Sequence, residues 1–85
     1  MGYMLDCQAG ETEGYSCRLL VADRTFYIKL FADPTKKAQY VSCNPEGRME
    51  KDISQTEFEL WLNILADNPK EIDEIQNKLK TIKKY

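Results

Sequence analysis

The sequence predicts an α+β domain: an antiparallel meander of four to five strands followed by two α-helices, the first helix packed between the sheet and the second. Three observations predict it. Through the N-terminal half, apolar and polar residues alternate in short runs broken by Gly, Pro, Asn and Asp, the pattern of half-buried strands joined by turns. Beyond Ile53 the apolar period changes to three and four, the helical spacing. Eighty-five residues support one small hydrophobic core, so residues 1–85 are read as a single compact domain.

Each element follows from its local pattern. Tyr3, Leu5 and Cys7 share one phase, and the polar run 9–14, bounded by Gly10 and Gly14, reads as a turn. Alternation resumes with Tyr15, Cys17, Leu19 and Val21 on one face and Ser16, Arg18 and Leu20 on the other. A tight connection at Asp23-Arg24 leads to Phe26, Ile28 and Leu30 inward, and Asp33-Pro34 punctuates again. Gln39–Cys43 is expected as a strand with Val41 and Cys43 inward. Asn44-Pro45-Glu46-Gly47 suits a type I turn followed by a left-handed residue, folding Arg48–Asp52 back as a short charged edge strand.

Two helices complete the chain. Ser54 with Glu57 forms a capping-box pattern, and Ile53 with Phe58 a hydrophobic staple. Phe58, Leu60, Trp61, Leu62, Ile64 and Leu65 then cover roughly 200° of the helix, more than one sheet face would bury. Asn68-Pro69 starts the second helix, where Ile72, Ile75, Leu79 and Ile82 make one narrow stripe. That stripe leaves Leu60 and Ile64 as candidates for a homodimer contact. Lys83-Lys84-Tyr85 is expected to fray.

Composition narrows the chemistry. Histidine is absent, so the commonest general base and metal ligand is missing. Cysteines 7, 17 and 43 match no zinc-knuckle spacing and are expected as free core thiols, suited to a reducing, cytoplasmic setting. Glycines 2, 10, 14 and 47 form no phosphate-cradling loop. No apolar run nears the roughly 20 residues of a membrane span. The expectation is a non-enzymatic protein with no cofactor, no metal and no membrane association.

Two surfaces remain as binding candidates. Arg18, Tyr27, Lys29, Phe31 and Tyr40 are expected on the outward sheet face, where aromatic and basic residues suit a protein interface or a single-stranded nucleic acid. Residues 57–74 hold six acids against one lysine, while residues 78–85 hold four lysines and no acid. Complementing the dipole of the final helix explains that asymmetry. The alternative is an acidic recognition face including Glu59, Asp67, Glu71 and Glu74 that occupies the basic channel of a nucleic-acid enzyme.

The order of strands, Asn44-Pro45-Glu46-Gly47 turn, short strand, Ile53-Ser54 and a helix starting Gln55-Thr56-Glu57-Phe58 resembles the single-stranded-DNA-binding transcriptional coactivator family over about residues 25–66. The resemblance implies a curved sheet and a dimer-forming helix. The chain departs from that family at Glu50-Lys51-Asp52 and in its acidic second helix.

The functional expectation is a non-catalytic protein-binding module, a small acidic inhibitor or adaptor. A phage or mobile element could encode it as an anti-CRISPR or other anti-defence product blocking a host nucleic-acid enzyme. The alternative, a single-stranded nucleic-acid binder, ranks below it because the chain is acidic, with a pI of 5.1.

Overall fold

A computed structural model describes residues 2–10 and 14–83, with the side chain of Lys83 outside the description. Five strands form one antiparallel sheet in sequential order: β1 (Tyr3–Ala9), β2 (Gly14–Val21), β3 (Arg24–Phe31), β4 (Gln39–Cys43) and β5 (Met49–Ile53). Helices α1 (Gln55–Leu65) and α2 (Pro69–Lys83) follow. The expected α+β meander with two C-terminal helices is the observed fold.

Alternation builds the core. Cys17, Leu19 and Val21 of β2 and Phe26, Ile28 and Leu30 of β3 are buried, on the phase expected for both strands. Phe58 and Leu62 of α1 and Ile75 and Leu79 of α2 join the same cluster. α1 touches β4 on one side and α2 on another, and α2 also rests on β2, so the two helices cover one face of the sheet.

Local capping sets the helix boundaries. Ser54 Oγ accepts the Glu57 N–H at 3.1 Å, and Asn68 Oδ1 accepts the Glu71 N–H at 3.1 Å. Pro69 occupies the first helical position, where its missing N–H costs nothing. In the Asn44–Gly47 turn, the Gly47 N–H donates to the Asn44 carbonyl at 2.9 Å, and Gly47 takes φ +85°. Gly14 is required for a different reason: a Cβ there would lie 2.3 Å from the Leu30 carbonyl oxygen. Most of the turn expected at 9–14, and the fraying expected at Lys84-Tyr85, lie outside the described residues.

Three expectations need correction. Tyr40 and Ser42 pair with Ile28 and Phe26, and directly opposed residues share a face, so Tyr40 points into the core. Its ring stacks on Phe58 with centroids 4.5 Å apart, while Phe26 meets Phe58 edge-on at 5.5 Å. Val41 and Cys43 therefore lie on the outward phase, the reverse of the expected assignment. Finally, Cys7 and Cys17 are not separate thiols: they sit directly opposite on β1 and β2, Cα atoms 4.0 Å apart, and form a disulfide. Cys43 remains free and buried. The pairing removes the odd cysteine count as an argument for a reducing compartment.

Candidate binding surface

The sheet has no helix on its outward face. The pairing register places one row of side chains across all five strands there: Asp6, Arg18, Tyr27, Val41 and Asp52. A flanking row carries Met4, Leu20 and Thr25, with Cys43 and Met49 at its far end. Met4, Leu20 and Met49 are 64%, 38% and 67% exposed, so the face combines bare apolar side chains with a cation near its centre and a carboxylate at each edge.

Cations and rings are already paired within this face. Arg18 lies over the Tyr27 ring, 5.2 Å from its centroid, and donates to the Tyr27 hydroxyl. That hydrogen bond holds the Arg18 guanidinium above its ordinary range. Lys29 and Lys36 approach the Phe31 ring to 5.5 and 5.4 Å. Cys43 lies beside Arg18 and Tyr27, and burial pushes its thiol pKa up, so it is kept protonated and inert.

Arg18, Tyr27, Lys29 and Phe31 thus stand together as expected, and Tyr40 does not join them. Asp6, Met49 and Asp52 also belong to the face without being binding candidates in the sequence, and Val41, expected inward, joins them. The signal that could have found Asp6 and Asp52 is their position one residue from an inward side chain, Leu5 or Cys7 and Ile53.

The acidic quartet is divided. Glu59 lines a groove with Lys37, Lys80, Leu30 and Tyr40, and accepts a hydrogen bond from Gln55 at 3.1 Å. Glu74 lies at the other end of the sheet, accepting from the Tyr3 hydroxyl at 3.2 Å; Tyr3 pairs with Val21, the residue beside the β2–β3 turn. Glu71 is in the first turn of α2 and Asp67 in the connection before it. The acids do not form one block, because Glu59 lies among lysines at the opposite end from the rest.

On the helical side, Leu60 and Ile64 are 58% and 71% exposed, so the surplus apolar width of α1 is left in solvent. Trp61 is covered instead by Arg24, whose guanidinium lies 4.0 Å from the ring centroid. Arg24 also donates to Ser42 Oγ at 3.5 Å. Among the described residues no group of three or more Cys, Asp or Glu is arranged to hold a metal ion, and no helix is long and apolar enough to cross a membrane.

No protein-family model, curated protein or solved structure matches the chain. Its surface chemistry is therefore the basis for a functional reading.

Proposed function

We propose that this protein is a non-catalytic protein-binding module, of the inhibitor or adaptor kind, that uses the helix-free face of its sheet. The observation that carries this reading is the exposure of Met4, Leu20 and Met49 beside Arg18 and Tyr27 on one continuous face. Apolar side chains, a tyrosine and an arginine held in place are the components that anchor protein interfaces. The matching partner surface is apolar, with a carboxylate opposite Arg18 and cations opposite Asp6 and Asp52. A host nucleic-acid enzyme blocked by a phage-encoded product is the biological setting we favour.

The single-stranded nucleic-acid reading is less well supported by the same row. Carboxylates at both edges oppose a phosphate backbone, the ring of Tyr27 already carries Arg18, and Tyr40 is turned inward. The acidic-mimic variant of the inhibitor reading is weakened by the separation of Glu59 from Glu74.

The test compares variants as bait for the native host's proteins. Arg18→Glu with Leu20→Asp is expected to lose a protein that wild type retains. The fourfold Lys variant at Glu59, Asp67, Glu71 and Glu74 is expected to keep it. Loss only in the fourfold variant would move the interface to the acidic residues. Oligonucleotide binding at low salt, weakened by about 1–3 kcal/mol in Tyr27→Ala or Phe31→Ala, would replace the proposal with the nucleic-acid reading.

A further inference from the structure

The Cys7–Cys17 bridge joins an edge strand to the interior of the sheet, and its two ends differ. Cys17 is fully buried on β2, in the core cluster shared with both helices, and pairs with Ile28 on its other side. Cys7 lies on β1, which is hydrogen-bonded to β2 alone, and is only half-buried. It lines an open groove of about 540 Å³ between β1 and α2, walled on the helix side by Asn77, Lys78, Thr81 and Ile82. The two charges in that lining, Asp6 and Lys78, offset one another, so an approaching thiolate meets no net repulsion.

The two ends of β1 are also held differently. At Tyr3 the hydroxyl donates to Glu74 at 3.2 Å and Lys78 lies 4.9 Å from the ring centroid, which ties this end to α2. Past Cys7, Gln8, Ala9 and Gly10 are exposed and follow β2. Gly10 N–H donates to the Gly14 carbonyl at 2.9 Å, so the even-numbered residues form the hydrogen-bonded pairs and Cys7–Cys17 stands between two of them. The covalent bridge is therefore the strongest restraint on this end of the strand.

We infer that Cys7 is a thiol–disulfide exchange site for a small thiol, and that opening the bridge releases residues 7–10 at the end of β1 while the remaining strands stay folded. Access decides which sulfur is attacked. A thiolate entering the groove bonds to Cys7 Sγ, with Cys17 Sγ behind it in the core. The S–S bond breaks, and its electron pair leaves on Cys17 Sγ, which takes a proton. A second thiolate attacks the incoming sulfur of the mixed disulfide, releasing the small thiol as its own disulfide and Cys7 as a thiolate that is protonated in turn. The protein gains two electrons and two protons, supplied by two molecules of thiol.

Two sulfurs that were bonded at directly opposed positions must then move apart to van der Waals contact. Cys17 is fixed by the core, so Cys7 yields and turns its thiol into the groove. Cys43 takes no part, since it is buried on the other face of the sheet.

The test treats the full chain with reduced glutathione in the absence of denaturant, followed by acid quenching and peptide mapping by mass spectrometry. A glutathione adduct should appear on the Cys7 peptide and give way to the dithiol form, with Cys43 unmodified. An adduct on Cys17, labelling of Cys43 at the same rate, or a bridge that opens only in denaturant would overturn the inference. Amide hydrogen exchange of the reduced chain should quicken at least about tenfold at Gln8 and Gly10 and stay unchanged at Met4 and in β3. Unchanged exchange at Gln8 and Gly10, or equal quickening in β3, would equally overturn it. Single variants check the asymmetry without the bridge. In Cys17→Ser, Cys7 should take up glutathione from oxidised glutathione, whereas in Cys7→Ser, Cys17 should not; uptake by both at one rate would count against Cys7 as the site.

Discussion

The two faces of the sheet come from the same strands, offset by one residue, yet they do different things. On the inward face, Leu19, Val21, Phe26 and Ile28 are sealed under two helices. On the outward face, Arg18, Leu20 and Tyr27, each adjacent in sequence to one of those core residues, meet solvent and one another. Because side chains alternate with a period of two, one residue of phase decides whether a side chain serves folding or contact. Stability should reside on one face and recognition on the other, and substitutions can separate them.

The largest effect is expected at Phe58, where the helices meet the inward face. Its ring is buried against Phe26 on one side and Tyr40 on another. Phe58→Ala removes both contacts and leaves a cavity that flanking strands cannot close. Urea denaturation should show a loss of about 3–5 kcal/mol.

Tyr40 sharpens the comparison because its phase separates the sequence expectation from the structure. On the outward face, Tyr40→Ala would be nearly neutral. Stacked on Phe58, it should cost about 2 kcal/mol in the same measurement. Burial also raises the phenol above its ordinary value of 10.0, Glu59 adding to the shift, so the folded state favours the neutral form. That contribution is complete below the unfolded pKa and lost as pH rises through the folded one. Tyr40→Phe should therefore reduce the loss of stability seen on raising the pH above the ordinary tyrosine range, by denaturation at successive alkaline pH values.

These cases show what local sequence carries and what it does not. The phases of β2 and β3, the Ser54 and Asn68 caps and the Pro45–Gly47 turn were legible because each depends on residues a few positions apart. The β4 phase was not. In Gln39-Tyr40-Val41-Ser42-Cys43 both phases contain apolar residues, and transfer preference alone favours Val41 and Cys43 inward. The observed choice is made by Phe58, a residue of α1 that stacks on Tyr40. The Cys7–Cys17 bridge was hidden for a related reason: shared phase puts two cysteines on one face, but only the β1–β2 register puts them opposite. For the binding face, Arg18, Tyr27, Lys29 and Phe31 came from alternation, whereas the complete row from Asp6 to Asp52 required four registers at once.

The smallest stability effect should come from Leu20, and it gives the sharpest separation of the faces. Leu19 is fully buried and Leu20 is 38% exposed, although they are adjacent in one strand and identical in type. Leu20 pairs with Met4 and Thr25 on the outward face, away from the helices. Leu20→Ser should leave stability within about 0.5 kcal/mol of wild type, because no cavity is created and the new hydroxyl stays hydrated. The same substitution removes part of the apolar surface proposed to meet a protein partner, so partner capture should fall while the denaturation midpoint stays. A stability loss approaching that of a core leucine would mean that Leu20 is covered in solution, and the outward face would then be an assembly surface instead of a free recognition surface.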